Sequence, residues 1–377
     1  MNRWTHDVEH QVIQGLGFIT LNRPKALNAL SLAMVRELSD ILRQWAHDDA
    51  VLAVVIRGSD KHGPFGAFCA GGDIRFFHQA ALAGDARLED FFTEEYSLNH
   101  LIHTYPKPYI AFMDGIVMGG GMGLSQGASL RIVTERTQMA MPETLIGLFP
   151  DVGGGYFLSR CPGHAGEYLA LTGQLLRGAE SLSFGLADAF IDSDQLPRLW
   201  QALQSQSWSS GKAVQDWLRL QIQASTDAAR AAPVPWWHDA LDEIFALPDV
   251  LSMVQALTSL AAQQDWAQTV LEALRQRSPL MLAVTLAQIR RGRLLSLADD
   301  LRMERDLVRH CFHTLHLDRR GAQTETVEGI RALAIDKDRA PRWQPSTIEE
   351  VTGAMVAPFF VSPWPESAHP LAHLSAN

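Results

Sequence analysis

Residues 109–126 read Y-I-A-F-M-D-G-I-V-M-G-G-G-M-G-L-S-Q, and this stretch decides the fold class. Residues 109–114 have the apolar character of a buried strand, and residues 120–126 are predicted to form a helix. The small residues between them leave backbone N–H groups exposed, which can hold a developing negative charge. The pattern predicts an α/β protein in which a strand, a glycine-rich turn and a helix follow one another.

A second small-residue turn lies upstream, at Phe68-Cys69-Ala70-Gly71-Gly72-Asp73. It follows a strand-like run at residues 52–57 and a polar loop at residues 57–66, and it also precedes a helical pattern. Two N–H groups that converge from such turns make an oxyanion hole, which stabilises a carbonyl oxygen as it becomes negative.

Two carboxylates stand in an apolar setting at residues 141–157, M-P-E-T-L-I-G-L-F-P-D-V-G-G-G-Y-F. Burial among the neighbouring apolar side chains raises the pKa of Glu143 and Asp151 and makes each a better base or nucleophile. A purely structural alternative stays open, in which Glu143 begins a helix after Pro142 and Asp151 caps a turn.

Four motifs in order resemble the crotonase (enoyl-CoA hydratase/isomerase) superfamily: N-R-P-K-A-L-N-A-L, F-C-A-G-G-D, the glycine run and P-E. Within it, the chain is similar to the branch that hydrolyses 3-hydroxyisobutyryl-CoA. That likeness is carried by F-F-T-E-E-Y-S-L-N at residues 91–99, the extended motif at 142–158 and E-G-I-R-A-L-A-I-D-K-D at 328–338. The resemblance implies a spiral of repeated ββα units followed by a helical C-terminal region.

The resemblance also implies roles for single residues. The N–H groups of Gly72 and Gly120 hold the thioester oxygen, and Glu143 and Asp151 carry the chemistry. Glu95 matches a further substrate-binding position, although a solvated glutamate on an amphipathic helix at residues 88–104 is an open alternative. The implied substrate-binding set is therefore Glu95, Gly120, Glu143 and Asp151.

One departure from the hydratase pattern favours chemistry at the carbonyl. Enoyl-CoA hydratases that resemble this chain carry a second glutamate at the end of the glycine run, where this chain has Gly123. Hydration of a C=C bond needs one group to activate water and another to deliver a proton, so Glu143 alone should hydrate poorly. We therefore predict a thioesterase, and the resemblance implies that it converts 3-hydroxyisobutyryl-CoA to 3-hydroxyisobutyrate and CoA in valine breakdown.

Two alternative functions remain open at this point. One is an enoyl-CoA hydratase or isomerase that uses Glu143 alone, and the other is a non-catalytic acyl-CoA-binding protein. In each case the partner is an acyl-CoA, and no separate cofactor is expected because CoA is part of the substrate.

Other catalytic patterns are weaker. Ser125 stands in a formal G-x-S-x-G match but lies more than a turn inside the predicted helix, unlike the serine of a nucleophile elbow. Cys69 is expected to pack as a small apolar side chain. His310, His313 and His316 diverge around a helix, so no metal site is predicted.

Composition agrees with an acyl-CoA enzyme and opposes other classes. The 377 residues are 47% hydrophobic, with 32 basic and 42 acidic residues and a net charge of −10, which disfavours nucleic acid and anionic membranes as partners. Three cysteines do not make a disulfide framework. The first seven residues lack a hydrophobic signal core, so a cytoplasmic location is expected.

The chain is expected to divide along its length into three parts. Residues 1–190 form the ββα core with the oxyanion hole and the carboxylates, and a strand is predicted at residues 12–21. Residues 191–356 form a helical extension with C-terminal helices, of which two are predicted at residues 278–319. Residues 357–377 form an irregular tail, in which Phe359 and Phe360 are either exposed or docked on a neighbour. The resemblance implies that the helical part supports self-association into a homo-oligomer.

Overall fold

The structure, a computed structural model, describes residues 6–375. In chain order its strands are β1 (Val8–Ile13), β2 (Leu16–Leu21), β3 (Ala53–Gly58), β4 (Ala67–Cys69), β5 (Tyr109–Met113), β6 (Ile116–Met118), β7 (Leu130–Val133), β8 (Gln138–Ala140), β9 (Leu176–Arg177) and β10 (Ala189–Phe190).

The α-helices are α1 (Leu32–Ala46), α2 (Ile74–Ala83), α3 (Arg87–His103), α4 (Gly120–Gln126), α5 (Gly154–Leu158), α6 (Ala165–Thr172), α7 (Gly178–Ser183), α8 (Leu196–Ser205), α9 (Gly211–Arg230), α10 (Asp239–Phe245), α11 (Val250–Ala261), α12 (Asp265–Arg275), α13 (Pro279–Gly292), α14 (Leu297–Phe312), α15 (Glu325–Ile330) and α16 (Gly353–Val356). Short 3-10 turns include Glu143–Ile146, Ala357–Phe360 and Glu366–Ala368.

The chain separates into two compact units, each built from three stretches. The first unit comprises Met1–Gly72, Ser97–Ala140 and Leu175–Val234, and the second comprises Asp73–Tyr96, Met141–Gln174 and Pro235–Asn377. The predicted parts with boundaries at residues 190 and 356 are continuous in sequence, whereas each unit combines separate stretches. These boundaries stay a prediction.

The first unit contains two sheets, of which the larger runs in the order β1-β2-β3-β5-β7-β10 and the smaller in the order β4-β6-β8-β9. Successive strand pairs divide between them, since β3, β5 and β7 enter the larger sheet while β4, β6 and β8 enter the smaller one. The predicted repetition of ββα units is therefore confirmed.

The core of the first unit lies between the larger sheet and the helices α8 and α9. Phe18, Val55 and Ile132 point from the strands into a cluster that also contains Trp200 and Leu218. The burial follows from the sequence, because parallel strands covered on both faces are apolar throughout.

In the described part of the chain, all named strands belong to the first unit, and the second unit is helical. Within it α13 packs on α5 and α6, while α14 packs on α5 and α15. Ser278 begins α13 by accepting a hydrogen bond from the N–H of Met281, and Ser296 begins α14 by accepting one from Asp299. The two helices predicted after residue 278 are thus confirmed.

Some expectations for the elements need correction. The strand predicted at residues 12–21 is a hairpin, because Gln14 and Gly15 both adopt positive φ and form a tight turn. The short strands of the smaller sheet escaped prediction because each has two or three residues. Phe359 is not exposed but 1% accessible, since it packs on His310 and His316.

Candidate active site

The two glycine-rich turns lie together in the first unit because the strands before them are neighbours. β4 and β6 pair in parallel, with Ala67 opposite Ile116 and Cys69 opposite Val117. The carboxyl ends of parallel strands meet at one edge of a sheet, so both turns leave from the same edge. A Cβ atom on Gly71 would lie 3.3 Å from the Met118 carbonyl oxygen and 3.6 Å from the Gly120 nitrogen. The structure therefore brings the predicted donors Gly72 and Gly120 into neighbouring turns.

Two further contacts fix this arrangement. A Cβ atom on Gly121 would lie only 2.3 Å from the Cys69 carbonyl oxygen, so no larger residue allows the same approach. The buried Asn28 amide donates hydrogen bonds of 2.8 Å to the carbonyls of Ser59 and Ala67. Leu30 also donates its N–H to the Gly71 carbonyl at 2.8 Å. The N-R-P-K-A-L-N-A-L motif thus secures the first turn.

The carboxylates belong to the second unit, where three of them form one buried cluster. Glu143 begins the 3-10 turn Glu143–Ile146, and Gly147 ends that turn with a positive φ of 66°. Asp151 follows in the next loop, and its Oδ2 accepts a 2.8 Å hydrogen bond from the Tyr96 hydroxyl. Glu95, also in α3, is 2% exposed, so the alternative of a solvated glutamate is wrong.

Burial and mutual repulsion control how these groups ionise. Burial raises the pKa of Asp151 to about 6, although the Tyr96 hydroxyl opposes this by favouring the charged form. Burial and the negative charge of Asp151 raise the pKa of Glu143 well above its usual value. The pKa of Glu95 is raised by burial and then by Asp151 and Glu143. Three such groups cannot all be charged without a large cost, which is typical of a catalytic carboxylate cluster.

Two oxygens of the cluster have no protein partner within the described residues. They are Oε2 of Glu143 and Oε1 of Glu95, and both are buried. Buried polar atoms are almost always paired in folded proteins. Their orphaned state is therefore what we expect of atoms that meet a substrate hydroxyl, a carbonyl carbon or a water molecule.

Sequence analysis missed three residues that complete this cluster. Tyr96 was read only as part of a motif, and Asp300 and Glu304 of α14 were not considered. Both acids are fully buried, and Glu304 accepts hydrogen bonds from the N–H groups of Gly153 and Gly155 beside Asp151. The sequence did carry a signal for the two acids, because residues 300 and 304 fall on the same helix face as Leu301 and Val308.

The remaining candidates take structural roles. The Ser125 hydroxyl donates to the Gly121 carbonyl at 2.9 Å within α4, which confirms its place inside the helix. Cys69 is buried and its thiol contacts the Asn28 carbonyl. Nε2 of His310 lies 2.9 Å from the Val361 carbonyl, and Nε2 of His316 lies 3.0 Å from that of Met355. Among residues 6–375, no group of three or more His, Cys, Asp or Glu side chains is arranged to hold a metal ion.

Comparison with known proteins shows the family of the chain. Residues 16–360 match the family described as enoyl-CoA hydratase/isomerase. The chain belongs to this family. It is 41% identical over 354 residues to the mitochondrial 3-hydroxyisobutyryl-CoA hydrolase of Gallus gallus, covering 93% of this chain and 87% of that protein. It is 39% identical to a probable 3-hydroxyisobutyryl-CoA hydrolase of Arabidopsis thaliana, covering 91% and 88%.

Solved structures of this enzyme family share the fold over nearly the whole chain. A structure named as an enoyl-CoA hydratase from Rhodobacter sphaeroides has a TM-score of 0.80 and 36% identity, with 95% of this chain and 98% of that chain covered. A structure named as a carnitinyl-CoA dehydratase from Mycobacterium thermoresistibile has a TM-score of 0.79 and 35% identity, with 96% and 98% covered. The crotonase-like α/β fold with a helical C-terminal region is therefore confirmed.

No helix within residues 6–375 has both the length and the apolar character needed to cross a membrane. The vertebrate relatives carry the word mitochondrial in their names, so the predicted cytoplasmic location has no support from them. The N-terminal segment on which that prediction rests lies mostly outside the described residues.

Proposed function

We propose that the chain hydrolyses the thioester of 3-hydroxyisobutyryl-CoA to 3-hydroxyisobutyrate and CoA. The observation that carries this proposal is the buried cluster of Glu143, Asp151 and Glu95, with two oxygens that lack protein partners. Relatives named as 3-hydroxyisobutyryl-CoA hydrolases, about 40% identical over most of the chain, support the substrate.

In the proposed mechanism, the N–H groups of Gly72 and Gly120 hold the thioester oxygen. Loss of one such donor typically costs about 3 kcal/mol in the barrier. Glu143 acts at the carbonyl carbon, for which its raised pKa makes it a stronger base and nucleophile. Asp151 and Glu95 form hydrogen bonds with the substrate hydroxyl, the water and the leaving thiol. Both side chains are acceptors when ionised and donors when protonated.

Two routes agree with these roles. In one, a Glu143 oxygen attacks the carbonyl carbon and the C–S bond breaks, which leaves a mixed anhydride on Glu143. The departing sulfur takes a proton and leaves as the thiol of CoA. Water then cleaves the anhydride. In the other, Glu143 takes a proton from water, which attacks directly. Mass spectrometry of acid-quenched enzyme separates them, because only the first route leaves an acyl group on the peptide that contains Glu143.

The test is release of free thiol from 3-hydroxyisobutyryl-CoA, with 3-hydroxypropionyl-CoA, acetyl-CoA and crotonyl-CoA in parallel. We expect thiol release that is selective for the hydroxyacyl esters. The names of the two solved neighbours favour a second candidate, an enoyl-CoA hydratase, whose sign would be loss of the crotonyl-CoA double bond without thiol release. If neither thiol release nor loss of the double bond is observed, the chain acts on a different ester or is the non-catalytic binding protein.

The reactive group is tested by Glu143→Gln, which keeps the shape of the side chain and removes its charge. We expect turnover to fall by at least about 10³-fold while binding of the CoA ester persists. Glu94→Gln is the matched control, because this glutamate neighbours Glu95 in α3 but is not buried with the cluster. Retained turnover in Glu143→Gln would refute the mechanism.

Place in metabolism, location and assembly are further proposals. The proposed product belongs to valine breakdown, and a cytoplasmic location stays a proposal. Light scattering would decide whether the chain forms the homo-oligomer that the resemblance implies.

A further inference from the structure

The loop that carries Asp151 is held by a buried carboxylate from α14. Oε2 of Glu304 accepts a 2.7 Å hydrogen bond from the Gly153 N–H, and Oε1 accepts a 3.0 Å hydrogen bond from the Gly155 N–H. Gly153 has a φ of +89°, which few other residues adopt, so this loop exposes its N–H groups in a conformation that needs glycine.

Gln288 of α13 ties the other side of Asp151 to the same carboxylate. Its amide nitrogen lies 2.7 Å from the Pro150 carbonyl oxygen and 3.0 Å from Oε1 of Glu304. Gly153, two residues after Asp151, is therefore anchored to Glu304 directly, and Pro150, immediately before Asp151, is anchored to it through Gln288. A shift of Glu304 would move both anchors together.

A second buried acid completes the anchor. Oδ2 of Asp300 accepts a 2.9 Å hydrogen bond from the Tyr156 N–H, and the Asp300 carboxyl is also hydrogen-bonded to that of Glu304. A Cβ atom on Gly155 would lie 2.3 Å from Oδ1 of Asp300, so the loop packs directly on this pair.

The two acids differ in how many donors reach them. Glu304 receives three N–H donors, from Gly153, Gly155 and Gln288. Asp300 receives one, and no donor within the described residues reaches its Oδ1. Glu304 is therefore the acceptor on which the loop converges. Burial raises the pKa of both groups, that of Asp300 to about 7.

We propose that Glu304 is a positioning residue for Asp151, because it fixes the loop around this carboxylate. The inference rests on the proposed function for its kinetic part. Glu304 touches the loop and not the reacting atoms, so it works through Asp151.

Two substitutions test this role. Glu304→Gln places an N–H group where the loop N–H groups need an acceptor, so we expect kcat to fall by up to about 100-fold with little change in KM. Glu304→Asp keeps both acceptor oxygens on a shorter side chain, so it should recover part of the lost kcat.

Asp299→Asn is the matched control, because this carboxylate neighbours Asp300 on α14 but is half exposed and pairs with Arg302. A merely structural role for Glu304 predicts lower stability with the kcat of the folded enzyme unchanged. A kcat within about threefold of wild type for Glu304→Gln would overturn the proposal.

A second measurement does not depend on substrate. The backbone N–H groups of Gly153 and Gly155 should exchange with solvent deuterium faster in Glu304→Gln than in wild type, because they lose their acceptor. Equal exchange rates would overturn the anchoring. If wild type releases no thiol from 3-hydroxyisobutyryl-CoA, the proposed function fails while this exchange still tests the inference.

Discussion

At the scale of single residues, Asp151 shows how a site can oppose the stability of its own fold. Burial destabilises its charged form, while one hydroxyl group, that of Tyr96, stabilises it. The result is a carboxyl group that changes charge near pH 6 and not near pH 4. A pKa in this range suits acid–base chemistry near neutral pH, because both the protonated and the ionised carboxyl group must be accessible.

Tyr96→Phe should move the acidic limb of kcat/KM to higher pH. The hydroxyl favours ionised Asp151, so its loss should raise the pKa of Asp151 further, by about one unit for a hydrogen bond to a charged group. Tyr105→Phe is the control, because Tyr105 donates to the Leu42 carbonyl in the first unit. A pH–rate profile of both variants checks this, and an unmoved limb in Tyr96→Phe would contradict it.

Asp151→Asn should stabilise the protein at pH 7 and less so at pH 4. Since the folded pKa of about 6 exceeds the usual 3.8, the folded state binds more protons between these values, and stability falls as pH rises through this window. The substitution removes that loss, on the order of 1–3 kcal/mol. Thermal unfolding at pH 4 and pH 7 provides the measurement; an equal gain at both pH values would refute the assigned cause.

At the scale of elements, the two glycine turns depend on how closely two short strands and one helix approach. β4 and β6 are each three residues long, and α4 begins immediately after the second turn. Gly121 lies against the Cys69 carbonyl, so the absence of a side chain there sets the distance between the turns. The donors of the proposed oxyanion hole are therefore placed by packing and not by side-chain chemistry.

Gly121→Ala should lower kcat by up to about 100-fold, because its Cβ would push one turn away from the other. The overpacking should also cost about 1–3 kcal/mol of stability. Gly63→Ala is the control, since no atom lies within 4 Å of its added Cβ. Steady-state kinetics and unfolding of both variants check the prediction, which fails if Gly121→Ala has wild-type kcat.

At the scale of the whole molecule, each unit gathers segments that are far apart in sequence. The second unit takes residues that precede the glycine run, residues that follow it and the C-terminal residues. The last part of this unit, residues 357–375, has two 3-10 turns, yet Phe359 and Leu371 are buried in it. Arg302 of α14 donates to the Leu371 carbonyl, so this stretch is part of the packed unit.

Phe359→Ala should destabilise the protein by about 3–5 kcal/mol, the usual cost of a large cavity. Val361→Ala is the matched control, because Val361 is 65% exposed and its loss should cost no more than about 0.5 kcal/mol. Denaturant unfolding measures both. A small effect of Phe359→Ala would mean that the C-terminal stretch does not contribute to the core.

The sequence was sufficient for the fold class and for the long elements. Residues 120–126 were predicted as a helix and form α4, and the two helices after residue 278 are α13 and α14. These succeed because periodicity and capping residues act within a few positions. The hairpin at Gln14 and the strands of two or three residues were not predicted from the sequence, because such short segments have too few residues to display a hydrophobic periodicity.

By itself, the sequence determined which groups are available: backbone donors at Gly72 and Gly120, and acids at Glu143, Asp151 and Glu95 in order along the chain. Those roles stay predictions. Only the tertiary structure decided that the three acids share one buried cluster, that Tyr96 bonds Asp151, and that Asp300 and Glu304 hold its loop. The physical reason is that burial and the charge of neighbours depend on residues distant in sequence, such as those of α3 and α14, and a local pattern cannot contain them.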